Sequence, residues 1–142
     1  MLRVLFYFIL LIGVAGYALW RGRQDERVAA MTCVAASFAS LALLVSRPNY
    51  YSDVEHGVAL IDLLTLATFV WIALRSSRFW PLWVAGLQLT ATLGHVLKFV
   101  DPELLRPVYA TSLALWSYVI LLIIALGIWR GDRGHTAAAP AT

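Results

Sequence analysis

The stretch VALIDLLTLATFVWIAL, residues 58–74, decides the fold of this chain. It is apolar over a length that can cross the hydrocarbon core of a bilayer as a helix, and Asp62 is its only charged residue. A carboxylate at that depth is costly to bury in lipid, so such a residue usually faces other protein and often marks a functional site. The stretch therefore predicts a transmembrane helix with one polar position turned inward.

The composition of the whole chain predicts the same environment. Of its 142 residues, 61% are hydrophobic and only 13% are charged, against roughly 25% charged in ordinary soluble domains. The net charge is +3, but the arginines flank apolar segments, which favours control of membrane topology over nucleic-acid binding. The only cysteine, Cys33, excludes an internal disulfide.

Five apolar segments are long enough, or nearly so, to cross a bilayer, which needs about 20 residues of helix. The breaks between them contain arginine, and two of them also contain proline, which cannot continue a helix from the residues before it. We therefore predict an all-α, polytopic membrane helix bundle that forms a single domain. Its five transmembrane helices are expected at 4–20, 28–46, 54–74, 80–100 and 108–129, and a disordered cytoplasmic tail is expected at 131–142.

The basic residues set the predicted orientation. With five crossings, seven basic residues fall on one side of the membrane and four on the other. The positive-inside rule therefore places the N-terminus outside and the C-terminus inside. A cleaved signal peptide is the alternative for the first segment, but it would leave three of the seven outside. Most of the tryptophans fall at the ends of the segments on the cytoplasmic face, as an interfacial belt would. The seven are Arg21, Arg23, Arg27, Arg75, Arg78, Arg130 and Arg133; the four are Arg3, Arg47, Lys98 and Arg106.

Polar residues of the third and fourth predicted helices are spaced to meet. The short turn at 75–78 predicts an antiparallel hairpin, in which Asp62 and His95 lie about 20 Å and about 24 Å from the cytoplasmic interface at 1.5 Å per residue. Gln88, Thr92 and His95 share one helical face because they recur at intervals of four and three. The predicted intramembrane polar site comprises Asp62, His95, Lys98, Gln88, Thr92, Glu55 and His56.

Three interpretations of this site remain open. A purely structural role would have Asp62 pair with His95 or Lys98 and lock two helices together. A functional role would be a proton or ion path, or a substrate or cofactor pocket. His56 and His95 could also clamp a haem or join a metal site, but the sequence contains no haem- or zinc-binding motif. No nucleophile or phosphate-loop motif is present either, so we expect no cofactor and favour a protein without enzymatic activity.

Part of the chain resembles a known group of proteins. The runs WPLWVAGLQLT at 80–90 and HVLKFVD at 95–101, followed by Tyr109 and WSY at 116–118, resemble small bacterial inner-membrane proteins that consist only of a short helical bundle. The resemblance covers about residues 62–129. It implies a setting in the bacterial inner membrane and carries no activity with it.

The leading functional expectation is a non-catalytic accessory or assembly subunit of a larger membrane complex. The second predicted helix carries small residues at close spacing, Ala29, Cys33, Ala36 and Ser40, which allow close helix approach. That face could pack within the chain, or dock onto a membrane-protein partner or a second copy. The alternative function is a small proton- or ion-coupled transporter in which Asp62 is the titrating group.

Overall fold

The computed structural model of the protein describes residues 2–46, 51–101 and 106–136. These residues form five α-helices: α1 (Leu2–Arg21), α2 (Gln24–Ser46), α3 (Tyr51–Arg75), α4 (Trp80–Val100) and α5 (Arg106–Thr136). The predicted all-α class with five helices is confirmed.

Four of the five helices extend beyond the apolar runs that predicted them. The largest differences are at the start of α2, which begins at Gln24 rather than at 28, and at the end of α5, which continues to Thr136 rather than 129. The predicted disordered tail is therefore wrong for residues 131–136, which are helical, while 137–142 lie outside the described residues. The cause is that backbone hydrogen bonds continue a helix through polar residues, whereas the apolar run marks only the part suited to lipid.

Three of the helices are long and apolar enough to cross a membrane within the described residues. They are α1, α2 and the His56–Arg75 part of α3. The apolar part of α5 for which side chains are described, Leu115–Gly131, is shorter. The fourth helix, which contains Gln88, His95 and Lys98, is not among the three.

The distribution of side-chain size fits a membrane protein. The buried core is rich in small residues such as Ala18, Ala29, Ala30 and Ala85, whereas large apolar side chains such as Phe6 face outward. Exposure of one large apolar side chain to water forgoes about 1.5–3 kcal/mol of burial energy, so a surface of this kind suits lipid. Small residues inside allow the helices to approach closely.

The helices form a closed ring. Each packs against its neighbour in the chain, α1 also packs against α5, and α5 contacts α2. Arg78 contacts both Glu26 of α2 and Gly131 of α5. These contacts bring together the turn at 22–23, the turn at 76–79 and the last turns of α5. We call this the arginine-rich end; the end at which α1 begins and α4 finishes is the far end.

Arginine–tryptophan pairs mark the arginine-rich end. The guanidinium carbon lies over a tryptophan ring at 5.2 Å in Arg21–Trp20, at 4.8 Å in Arg75–Trp71 and at 4.0 Å in Arg133–Trp129. Tryptophan favours the boundary between lipid and water, and a cation over its ring strengthens that position. This end therefore has the side chains of an interfacial belt.

Candidate functional site: a cavity at the Asp62–His95 pair

A cavity of about 460 Å³ lies between the helices, between the apolar core and the far end of the bundle. All five helices contribute to its wall, and most of the wall is apolar. Cavities of this size and character are typical of sites for small molecules. Its polar lining residues are Tyr7, Ser37, Ser40, Asp62, Thr65, Gln88, His95 and Ser117.

Two side chains of α4 hold Asp62 of α3 at this cavity. Nε2 of His95 lies 2.7 Å from Oδ2 of Asp62. The amide Nε2 of Gln88 lies 3.3 Å from Oδ1 of Asp62 and 3.4 Å from its backbone carbonyl oxygen. The contact that helix counting predicted between Asp62 and His95 is therefore formed, and Gln88 joins it.

The Asp62–His95 pair is not sealed from the cavity. The side chain of Asp62 is 23% exposed and that of His95 is 12% exposed, whereas Gln88 is buried. A carboxylate beside an imidazole can pass a proton to a bound molecule or accept one from it, provided that the molecule can reach the pair. The cavity supplies that access.

The other predicted site residues lie elsewhere. Thr92 is buried and donates its hydroxyl to the backbone carbonyl of Gln88, and it does not line the cavity. Lys98 is half-buried in the last turn of α4 and does not line the cavity either. The side chain of Glu55 lies outside the described residues.

His56 contacts an aromatic ring of α4. Its ring centroid lies 4.9 Å from that of Phe99, while His95 is held by Asp62. Among the side chains that the structure describes, no three His, Cys, Asp or Glu residues come together as a potential metal site. The haem or metal site through His56 and His95 gains no support from these contacts.

An apolar layer closes the cavity toward the arginine-rich end. Phe69 and Leu121 form the cavity floor, and the buried side chains of Ile72 and Ile124 lie one turn further along α3 and α5. Leu11 of α1 and Val84 of α4 belong to the same buried cluster. The polar site is therefore separated from the arginine-rich end by packed apolar side chains.

Tyr7 adds a polar contact to the cavity wall that the sequence did not predict. Its hydroxyl lies 2.8 Å from the hydroxyl of Ser37 on α2. Its ring meets that of Tyr118 edge-on, with centroids 5.6 Å apart, and Tyr118 donates a hydrogen bond to the backbone carbonyl of Arg3. A tyrosine inside an apolar segment was the available signal, because a buried phenol usually has a partner.

The sequence also missed the role of Glu26. It occurs in a stretch of charged residues that reads as a solvated turn, yet its side chain is buried, with the residue 1% exposed. Oε1 of Glu26 lies 2.5 Å from Nη1 of Arg78, and Oε2 accepts the backbone N–H of Arg23 at 2.6 Å. The second bond is half of a capping box, in which a glutamate at the third helical position reaches back to the residue that precedes the helix.

The small residues of α2 face inward. Ala29 and Cys33 are buried, and Cys33, Ala36 and Ser40 line the cavity. This face is therefore used inside the protein. Since Ala29 and Cys33 already pack within the chain, the face gives the expectation of an accessory subunit less support than the sequence suggested.

Comparison with known proteins gives no further guide. No protein-family model, no curated protein and no solved structure matches the chain.

Proposed function

We propose that the protein is a small proton- or ion-coupled transporter in which Asp62 is the titrating group. The observation that carries this proposal is the Asp62–His95 pair, which is partly exposed to a cavity of about 460 Å³. Ionisable residues inside a membrane are rare and are commonly part of proton relays or substrate paths. Gln88 fixes the second carboxylate oxygen and thereby orients the pair.

The proposal includes a threading of five crossings in the bacterial inner membrane, with the N-terminus outside. The clustering of arginines and of Arg–Trp pairs at one end supports it, because basic residues favour the cytoplasmic side. Gln88 and His95 of α4 face α3 and the cavity, so these two polar side chains do not argue against a fourth crossing. In this threading the cavity lies in the outer half of the membrane.

Proton movement into liposomes tests the function. The purified protein is reconstituted with an entrapped pH-sensitive dye, and a membrane potential is imposed with potassium and valinomycin. We expect proton flux above that of empty liposomes, and we expect Asp62→Asn to reduce it to the empty-liposome level. The substitution keeps the shape of the side chain but removes the group that exchanges the proton.

Two hydroxyl residues provide matched controls. Thr68 on α3 and Thr90 on α4 lie on exposed faces, and each donates to a backbone carbonyl of its own helix. Thr68→Val and Thr90→Val should keep wild-type flux. Flux that persists in Asp62→Asn, or that is absent from the wild type, contradicts the proposal.

The second candidate is the accessory or assembly subunit. It is favoured by the apolar layer of Phe69, Ile72 and Ile124, which leaves the polar site without a connection to the arginine-rich end. In that case the bonds from His95 and Gln88 to Asp62 lock α3 to α4, and such contacts contribute about 1 kcal/mol or less in membranes.

Circular dichroism and gel filtration of Asp62→Asn separate the two candidates. A variant that folds but has no flux supports the transporter. If the wild type has no flux and the variant does not fold, the result supports a structural role in which Asp62 joins α3 to α4. An accessory subunit should also co-purify in mild detergent with one membrane complex at a fixed ratio. Recovery of a lone monomer that gives no crosslinks would contradict that role.

A further inference from the structure

A second concave surface lies at the arginine-rich end, between α4 and α5. This groove has a volume of about 510 Å³. It shares no lining residue with the cavity at Asp62, and the transporter proposal makes no use of it. Its lining residues are Arg78, Phe79, Trp80, Trp83, Ile123, Leu126, Gly127, Arg130 and Gly131.

Positive charge is concentrated at the mouth of the groove. Arg130 is exposed there, and the guanidinium of Arg78 lies beside Gly131 on the opposite wall. The bond from Arg78 to Glu26 uses one of the five N–H donors of that guanidinium, so others remain available to an acceptor in the groove.

The N-terminus of α4 opens into the same groove. Its N-cap residue, Phe79, makes no side-chain capping bond, and Pro81 follows in the first turn. The first N–H groups of a helix have no partner within the helix, and together with the helix dipole they attract phosphate groups. Phe79 and Trp80 belong to the groove lining, so an anion in the groove would lie at this helix end.

The indole of Trp80 supplies an independent observation. Its Nε1 is buried and has no hydrogen-bond partner within the part of the chain that the structure describes. Its ring packs so closely on α5 that a Cβ atom added to Gly127 would lie 3.0 Å from Cδ1. A buried indole N–H without an acceptor is costly, and Trp80 belongs to the lining of the groove.

The remainder of the groove is apolar. Trp83 and Leu126 are exposed along it, and Ile123 is half-buried one turn nearer the middle of the bundle. A ligand that suits the groove therefore has an anionic group at one end and a hydrocarbon chain at the other. A free phosphate matches only the first part.

We propose that this groove binds an anionic phospholipid, with its phosphate between Arg130, Arg78 and the N-terminus of α4, and an acyl chain along Trp83, Ile123 and Leu126. Basic pockets between membrane helices on the cytoplasmic side are suited to anionic head groups. The lipid would join α4 to α5 at the end where no polypeptide connects them.

Native mass spectrometry of the full chain tests this site. The protein is equilibrated in micelles that contain equal amounts of phosphatidylglycerol and phosphatidylcholine, and the fraction of protein that retains each lipid is measured. Wild type should retain phosphatidylglycerol in preference to phosphatidylcholine. Arg130→Gln should weaken that retention about fivefold, the effect expected of one basic residue near an anionic lipid.

Arg133→Gln is the matched control. Arg133 lies on the same helix as Arg130, and its replacement by glutamine removes the same charge. The Arg133 side chain stacks over Trp129 and does not line the groove. It should retain phosphatidylglycerol like the wild type. An equal loss in both variants would show a diffuse charge effect and overturn the site.

Inorganic phosphate distinguishes the lipid from a free anion. If millimolar phosphate displaces phosphatidylglycerol and binds in its place, the groove is a phosphate site and the lipid proposal is wrong. Retention of phosphatidylglycerol in the presence of phosphate supports it. Because proton flux through Asp62 is measured separately, failure of one proposal leaves the other standing.

Discussion

At the scale of single residues, Glu26 joins three parts of the arginine-rich end. One carboxylate oxygen binds Arg78 from the turn between α3 and α4, and the other caps the first turn of α2 through the N–H of Arg23. Arg78 in turn lies against Gly131 of α5. A buried carboxylate with charged and backbone partners of this kind fixes the relative positions of helices that are distant in sequence.

Glu26→Gln should therefore destabilise the protein. The amide keeps the size of the side chain but weakens the bond to Arg78 and leaves that cation poorly compensated, at an expected cost of about 2 kcal/mol. Denaturant unfolding in mixed micelles, followed by circular dichroism, measures the change. Asp25→Asn, which alters the same charge one residue earlier, should have a much smaller effect, and an equal effect would contradict the role assigned to Glu26.

The residues themselves show what sequence could and could not predict. The Asp62–His95 contact was predictable because both residues are polar in apolar helices and lie at similar heights above a short turn. Glu26 was not, since a glutamate among five other polar or charged residues looks solvated, and its burial depends on the approach of Arg78, 52 positions away. The Tyr7–Ser37 bond likewise depends on the rotation of α1 against α2, which the sequence does not specify.

At the scale of elements, α4 packs tightly against α5 where a glycine faces a tryptophan. Gly127 is buried, and the ring of Trp80 occupies the space beside it. Because a methyl group there would lie 3.0 Å from the ring, the indole would have to move to admit it. Helix pairs in membranes commonly use glycine in this way.

Gly127→Ala should consequently cost about 1 kcal/mol of unfolding free energy, the lower end of the range for overpacking. Gly86→Ala is the control on the neighbouring helix, because a methyl group added there meets nothing within 4 Å. It should raise the unfolding free energy by about 0.5–1 kcal/mol, because alanine favours a helix interior more than glycine does. The same unfolding measurement applies to both, and equal effects would show that the contact between α4 and α5 is not tight.

At the scale of the whole molecule, arginine residues are concentrated at one end of the helix bundle. That end holds Arg23, Arg27, Arg75 and Arg78, which lie in or next to the turns. The tryptophans whose rings are covered by an arginine lie at the same end. The positions of the five helices follow from the apolar runs, although four of the helices extend beyond those runs. The direction of the molecule in a membrane is a property of this asymmetry and is open to direct measurement.

Cysteine labelling should reveal that direction. In a Cys33→Ala background, we introduce Ser77→Cys in the turn after α3 or Val100→Cys at the end of α4; both positions are exposed. With the N-terminus outside, a membrane-impermeant maleimide should label position 100 in intact cells and position 77 only after lysis. The reverse pattern contradicts the orientation, and labelling of both from one side contradicts a crossing by α4.

The apolar layer beneath the cavity has a kinetic consequence. A conductive pore needs a continuous wet path, but Phe69, Ile72, Leu121 and Ile124 fill the route with hydrocarbon. In this conformation the protein should therefore conduct no ions, so the proton flux expected in liposomes depends on a change of conformation. Any net transfer would require the helices to repack once per cycle, on the microsecond-to-millisecond scale of collective helix motions or slower. Turnover would then be limited by that rearrangement, and single-channel conductance steps should be absent.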